Sequence, residues 1–297
     1  MAVAVLHDEF TPYGGRGGVC ASGEIIIGPG GNTAYVNNRI VVFDPVSKTA
    51  DTYEVTMAGT VTTVGHGCAF DGGVAMVAGT PSASYGVLIF YPDGTYDVIA
   101  FPFGGQASDW ALVSDGSTLA AVYVQGSYSS NPQVFTPGVG WSSGSTGFVG
   151  KGQPLMSGGV AVGIRGSGDM YSMDMSTGNT TTLHSGVGSP PISGGQMAIL
   201  GGRLWYPTSV TNLRGVRISD GHVVNIPVPG ISLAYERIPL TTDGTHLFVT
   251  EPSSVVYQVN PLTFSIVTHT LSPSLGYVFS MHYSGGKVWV PGSTPTS

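Results

Sequence analysis

"NTAYVNNRIVVFDPVSKTADTYEV", residues 32–55, falls into three short apolar runs broken by two turns. Its runs are rich in Val, Ile, Tyr and Phe, side chains that suit a pleated and half-buried surface, and its breaks carry Asn, Asp and Pro. A stretch of this kind is either one hairpin among many or one copy of a unit that builds the whole molecule. The rest of the chain decides between the two.

A Gly-centred tight turn followed by a strand like TAYV occurs seven times: at Gly30-Gly31, Gly72-Gly73, Asp115-Gly116, Gly158-Gly159, Gly201-Gly202, Asp243-Gly244 and Gly285-Gly286. From Gly30 through Gly72, Gly116, Gly158, Gly201 and Gly244 to Gly285 the steps are 42, 44, 42, 43, 43 and 41 residues. A step held this closely is a repeat. The strands that follow read TAYV, VAMV, TLAAVYV, VAVGI, RLWYP, HLFVT and KVWVP. Asp-Gly and Gly-Gly are hairpin residues because both central positions of a type I′ turn need φ > 0, so each marker is predicted to join two antiparallel strands.

A second turn follows in six of the units, at FDPVSK, YPDGT, TPGVG, DMSTG, SDGH and NPLT. Each unit is therefore predicted to hold four strands, and four antiparallel strands in 40–45 residues make one blade of a β-propeller. A chain of 297 residues over seven units gives 42.4 residues each, close to the observed step. After Gly285 only 12 residues remain, too few for a second turn, whereas AVAVLHDEF at the start reads as a third strand with Asp8 at its turn. The expectation is a single all-β domain over residues 1–297: a seven-bladed β-propeller whose last blade is closed by N-terminal strands. Val3 and Val5 should then lie beside Val288 and Val290. Such closure removes free sheet edges. A β-sandwich with coincidental spacing is the competing architecture.

The quoted stretch resembles the repeat of YVTN-type β-propellers: a strand ending in Tyr-Val, an Asn turn, then IVVFD and a Lys-Thr turn. The likeness is close over residues 34–49 and partial over LFVTEPSSVVYQVNPLT, residues 247–263, while the other five units keep only the blade pattern. No Trp-Asp pair ends a strand, so the WD40 signature is absent. The resemblance implies a propeller and says little about chemistry, because this architecture hosts binding modules, scaffolds and enzymes alike.

Composition narrows the function. Charged residues are 9% of the chain against roughly 25% in an ordinary domain, so Ser, Thr, Asn and Gly must solvate the surface. The formal charge of −7 and ten scattered Lys and Arg supply no stripe for phosphates, which argues against nucleic acid as a partner. No apolar run approaches the about 18 residues that suggest a membrane-spanning helix. The start, MAVAVLHDEF, has no basic n-region and places Asp8 and Glu9 where a secretory h-region would continue, so no Sec signal is read. Cys20 and Cys68 show no CxxC spacing and read as reduced core residues, a Cys20–Cys68 bridge being the alternative.

In a propeller, the loops before the innermost strand and those joining the second and third strands share one face around the channel mouth. That face is predicted to carry His66, Asp109, Trp110, Gln153, Gln196, Glu236, Arg237 and Tyr277, and the longer loops at 78–86, 125–133 and 207–215, which hold Tyr85 and Tyr128. Tyr and Trp set among Ser, Asn and Gly suit protein or sugar recognition. Polar residues at strand starts also serve simply to satisfy loop amides around a wet channel. Enzyme motifs are weak: seven His are spread one per region without HExxH, GGRGGV at 14–19 opens no helix, and no G-x-S-x-G elbow occurs in a strand-turn-helix context.

The favoured expectation is a non-enzymatic interaction module that needs no cofactor. Its Gly-, Ser- and Thr-rich, nearly uncharged style and its three lysines (Lys48, Lys151, Lys287) resemble β-rich virion proteins of phages, where tail-associated propellers bind partner proteins or the host envelope. This implies a virion or extracellular location, the cytoplasm being the alternative, with other virion or cell-surface proteins as partners and no membrane insertion. Two alternatives stand beside it. One is a metal-dependent hydrolase or lyase holding a divalent ion in the channel, with His66, Asp109, Glu236 and His282 converging on it. The other is a glycan-binding, lectin-like propeller.

Overall fold

The computed structural model describes residues 2–6, 20–22, 25–30, 39–55, 63–64, 66–80, 83–102, 104–124, 130–145, 147–190, 196–208, 211–229, 238–250, 255–271, 277–278 and 281–293. Apart from one 3-10 turn at Ala107–Asp109 these residues form strands and turns, and none belongs to a helix long and apolar enough to cross a membrane. The described strands group into seven sheets, six of four strands and one of five.

The chain opens with β1 (Ala2–Leu6), which joins the last sheet. The first sheet then takes β2 (Cys20–Ser22), β3 (Ile25–Gly30), β4 (Arg39–Asp44) and β5 (Thr49–Glu54). The second takes β6 (Thr63–Val64), β7 (Cys68–Phe70), β8 (Gly73–Thr80), β9 (Ala83–Phe90) and β10 (Tyr96–Ala100). The third holds β11 (Trp110–Ser114), β12 (Leu119–Tyr123), β13 (Gln133–Thr136) and β14 (Gly140–Ser143). The fourth holds β15 (Gly150–Ser157), β16 (Val160–Arg165), β17 (Met170–Met173) and β18 (Thr180–His184). The fifth holds β19 (Ala198–Leu200), β20 (Arg203–Pro207), β21 (Asn212–Arg217) and β22 (Val223–Pro227). The sixth holds β23 (Leu240–Thr242), β24 (Leu247–Thr250), β25 (Val255–Val259) and β26 (Ile266–Thr270). The last holds β27 (Tyr277–Val278), β28 (His282–Ser284) and β29 (Lys287–Ser293) with β1.

Within a sheet each strand pairs antiparallel with the next in sequence, so a sheet is a meander made of short-range hairpins. In the second and last sheets the first strand is split, β6 and β7 both pairing with β8, and β27 and β28 both with β29. Between sheets the order is again that of the chain. Val42 and Ile40 pack on Met76 and Phe90, Phe70 and Phe101 on Trp110 and Leu112, and Val113 and Val122 on Tyr171 and Met173. Ile164 and Met170 then pack on Leu204 and Tyr206, Trp205 and Leu213 on Leu240 and Leu247, and Phe248 and Val256 on Val288 and Val290. Trp289 of the last sheet finally meets Phe43 of the first edge-on at 4.9 Å, which turns the row into a ring. The first strands β2, β7, β11, β15, β19, β23 and β28 adjoin one another in that order, and β28 adjoins β2.

The two ends of the chain meet as expected, with Val3 opposite Val288 and Val5 opposite Val290. The direction differs from a regular blade: β1 runs parallel to β29, where every other ladder is antiparallel. Alternating apolar residues fix which strand is a neighbour but carry no sign for its direction, because no short turn links the two.

The first marker also needs correction. Gly30 lies in β3 opposite Arg39 of β4, and β2 and β3 pair up to Ser22 with Ile25, so Gly30 is not the tip that joins the first two strands. TAYV lies outside the described residues. Gly30-Gly31 followed by an apolar run imitates a hairpin tip locally, and only the pairing of IIIGPG with RIVVFD separates the two. The remaining tips stand: Gly158 and Gly159, Gly201 and Gly202, and Gly285 and Gly286 each have two consecutive positive φ angles, the type I′ signature, while the second sheet uses Asp71 (φ 51°) with Gly72 (φ 76°). Two of the expected long loops are shorter than their composition suggests. β8 and β9 stay paired to Thr80 and Ala83, and β20 and β21 to Pro207 and Leu213, because small polar residues pair through the backbone as well as any others.

The outer turns are built by one local device. Asp44, Asp93, Asp174 and Asp220 each accept a hydrogen bond from the backbone N–H two residues on, at 2.7, 2.9, 2.7 and 3.0 Å. Hydrogen bonds from the turn, led by the Ser47 hydroxyl for Asp44 and the Ser176 hydroxyl for Asp174, hold these carboxyls below their ordinary range. Such stabilisation is present above the unfolded-state value near about 4 and is lost as pH falls through the lowered folded value. A triple variant Asp44→Asn, Asp93→Asn, Asp174→Asn keeps an acceptor in each turn and should show a shallower loss of Tm on acidification below about pH 4 than the parent, measured by calorimetry against pH. In the sheet interior, Gly215 faces Trp205 across β20 and β21, and a Cβ there would stand 2.6 Å from the indole. Gly215→Ala should lower unfolding stability by about 1–3 kcal/mol in denaturant melts.

Candidate functional site

Several residues of the predicted face stand at or beside the first strands, and His66 links two of the sheets there. Its backbone makes an isolated parallel bridge to the neighbouring sheet: the N–H donates to the Trp110 carbonyl at 3.2 Å, and its own carbonyl accepts the Leu112 N–H at 2.9 Å. The side chain is 2% exposed. His66 thus fastens the second sheet to the third near the axis.

Trp110 begins β11 and is 1% exposed. Its ring stands edge-on to Phe101 at 5.2 Å and to Tyr123 at 5.3 Å, and its indole N–H donates to the Gly104 carbonyl at 3.3 Å. The sequence suggested a contact residue for a ligand; the structure places it in the core between the second and third sheets. Asp109, one residue earlier, closes the 3-10 turn: its carboxylate accepts the Gln106 N–H at 3.3 Å and the Tyr123 hydroxyl at 3.5 Å. Both residues are engaged with the connection before β11, Trp110 with Phe101 and the Gly104 carbonyl and Asp109 with the Gln106 N–H.

The two glutamines behave as a pair. Gln153 on β15 donates through Nε2 to the Gly67 carbonyl at 2.6 Å and to the Leu112 carbonyl at 2.8 Å, so one amide spans from the fourth sheet across the third to the second. Gln196 precedes β19 and accepts the Met281 N–H at 2.9 Å, spanning from the fifth sheet to the last. The two are 43 residues apart, one step of the repeat, yet they reach in opposite directions around the axis. At this depth each acts as a strut across the ring's centre.

Glu236, Arg237 and Tyr128 lie outside the described residues. Tyr85 is on β9 and Tyr277 on β27, with side chains outside the described set. His282 is on β28, and among the described residues no group of three or more His, Cys, Asp or Glu is gathered as metal ligands. Cys68 packs half-buried at the edge of the core on β7, which adjoins β2 and hence the Cys20 position, whose side chain lies outside the described set.

Two arginines that sequence reading missed order this region. The Arg165 guanidinium lies over the rings of Phe148 and Tyr171, at 5.0 and 5.8 Å from their centroids, and donates to the Thr180 hydroxyl at 3.0 Å. Burial raises the Tyr171 phenol well above its ordinary range, keeping it neutral. Arg214 on β21 donates to the Val187 carbonyl at 3.0 Å and to Asn225 Oδ1 at 3.0 Å, while the Tyr206 hydroxyl donates to the Gly188 carbonyl at 2.8 Å. Burial pushes the Tyr206 hydroxyl up to about 12, so it remains a donor at all ordinary pH. Neither arginine recurs at the repeat spacing, and no sequence signal marks them.

The sequence matches no family model and no curated protein. Among solved structures it is similar to BamB from Moraxella catarrhalis, a β-propeller, with a TM-score of 0.55 and 13% identity over 93% of this chain and 81% of that one. It is also similar to the computationally designed Ika8 protein, with a TM-score of 0.58 and 12% identity over 96% and 94% of the two chains. At these identities the likeness is one of fold, and the fold is a β-propeller. A strut that spans three sheets has a clear mechanical consequence: Gln153→Leu leaves the Gly67 and Leu112 carbonyls without that donor and should reduce unfolding stability by about 1–3 kcal/mol, read by denaturant titration.

Proposed function

We propose that the chain is a seven-bladed β-propeller of the YVTN-like type that serves as a rigid, non-enzymatic interaction module: a phage virion protein, tail-associated, structural or binding the host surface. The observation that carries this reading is the engagement of the axial polar groups. The side chains of Asp109, Gln153 and Gln196 are hydrogen-bonded to backbone of their own or neighbouring sheets, and His66 bridges two sheets through its backbone, so these residues work to hold the ring together. Contact with partners then falls to the connections around the rim, such as that joining β12 and β13, and to the sparsely charged outer surface. The seven sheets and the pairing of β1 with β29 support the blade count and its closure by the N-terminal strand. The partners in this reading are other virion or cell-surface proteins.

Three measurements test it. Mass spectrometry of purified particles should find the chain, and a photo-cross-linker at Asn131, in the connection before β13, should capture a virion protein where one at Ser117, in a tip on the opposite face, does not. A chain found only as free cytosolic protein overturns the assignment. Thermal shifts with Ca²⁺, Mg²⁺, Mn²⁺ and Zn²⁺ should be flat, since an ion bound only by the folded state must raise Tm; a rise with any of them favours the hydrolase or lyase reading instead.

A further inference from the structure

The last sheet is one strand short. In each of the other six, four positions run from the innermost strand outward, ending on β5, β10, β14, β18, β22 and β26. In the last, β27 and β28 share the first position, β29 holds the second and β1 the third, and among the described residues no strand pairs with the outer edge of β1. Such an edge presents a row of backbone N–H and C=O groups. Here it is also recessed. Neighbouring strands of a sheet lie about 4.8 Å apart, so β1 stops about one strand width inside the rim set by β26 of the sixth sheet on one side and β5 of the first on the other.

The flanking walls record the gap. Register places Val267 and His269 of β26 opposite Gln258 and Val256, on the face where Val256 and Leu271 pack with Val288 and Val290 of the last sheet. Elsewhere an apolar residue of the outer strand that faces the following sheet is covered by it: Tyr53 on β5, Ile99 on β10, Leu183 on β18 and Val224 on β22 all pack against the cluster the two sheets share. Val267 is 52% exposed, whereas Ile266, on the opposite face of β26, packs against the cluster shared with the fifth sheet. On the other wall, Ala50 and Thr52 of β5 stand opposite Phe43 and Val41, on the face that Phe43 turns to Trp289. One wall is thus apolar at its outer end, and the other is small and polar.

We propose that this slot receives an extended segment of a partner polypeptide as the missing fourth strand, paired along β1, with apolar side chains against Val267 and small polar ones against Thr52. The shape of the slot selects the occupant. A second folded copy offers sheet edges flanked by their own neighbouring sheets, and those neighbours would strike β26 and β5 before the two backbones came within hydrogen-bond distance. A single extended chain passes between the walls. The connection 7–19 of this chain is a poorer fit: β1 runs with β29, away from the tip at Gly285-Gly286, and β2 runs toward the hairpin it forms with β3, so the chain leaves β1 and enters β2 on one face. A strand laid back along β1 would finish on the opposite face. In strand addition of this kind backbone pairing supplies affinity, and the walls met by alternate side chains supply the choice of sequence. The inference rests on the reading of the chain as an interaction module but not on the virion: strand binding by a chain absent from particles leaves it standing, and a particle protein that binds no strand leaves only the other.

Fluorescence anisotropy with the purified full chain tests it, the probe being a labelled short peptide of alternating Val and Thr. The peptide should bind one to one and slow amide exchange within residues 2–6, where alternate amides exchange freely before it is added. The same peptide with Pro at two central positions lacks the donors for a ladder and should bind about tenfold more weakly or worse. Val267→Asp places a charge in the slot and should weaken binding by a similar factor with Tm unchanged, because the side chain it replaces is already half exposed. Val98→Asp, on the outer strand β10, should leave binding as in the parent. Failure of the Val-Thr peptide to bind, equal binding by the proline version, or equal binding by Val267→Asp overturns the proposal. So does protection of every amide in residues 2–6 without peptide, the mark of a slot filled by the chain itself, or a dimer in sedimentation velocity that the peptide does not dissociate.

Discussion

Burial of apolar faces between consecutive sheets is the constraint on which everything else rests. A four-stranded meander can shield neither of its faces alone, and here each sheet covers one face of the sheet before it and one face of the sheet after it. The first and last sheets would each be left with a bare face if the row stayed open. Phe43 against Trp289 supplies the missing cover, and the β1 ladder on β29 ties the chain ends together at the same seam. Since the hydrophobic effect is proportional to area and has no direction, the ring is the arrangement in which no sheet face stays wet.

Large rings at the sheet interfaces require space on the strand opposite, and glycine provides it. Trp205 covers Gly215 and Tyr171 covers Gly163, so the high glycine content serves packing as well as turns. The scarce charges are used locally in the same economical way. Most described aspartates in turns are held by the N–H groups of their own loop, as with Asp115 and Asp243, where burial works against the charge and backbone hydrogen bonds outweigh it. They shape the ends of the strands and leave the sheets themselves to apolar contact.

Near the axis the same logic reverses. First strands from different sheets adjoin one another, and the Gly67 and Leu112 carbonyls take a donor from a side chain of another sheet. Gln153 and Gln196 meet that need because an amide on a long, flexible stem offers both donor and acceptor. Their partners, 86 and 85 residues distant, are two sheets away, a reach that strand pairing alone never makes. The centre of the ring is therefore a hydrogen-bonded joint as much as a channel.

The repeat, the four-strand unit and the meeting of the two chain ends were legible in the sequence, because hairpin tips and alternating strands are local signals that recur at a fixed step. Residues 66, 109, 110, 153 and 196, read in the sequence as lying on one face around the channel mouth, stand at or beside the first strands of their sheets. What those residues do was not legible. Trp110 looks like a contact surface until Phe101 and Tyr123 close around it, Gly30 looks like part of a tip until it pairs with Arg39 in β3, and β1 carries no mark that it runs parallel to β29. Local backbone preference sets where strands begin and end, whereas burial, direction and hydrogen-bond partners depend on contacts across strands and sheets, from neighbouring strands to the opposite end of the chain, and only the tertiary structure brings those together.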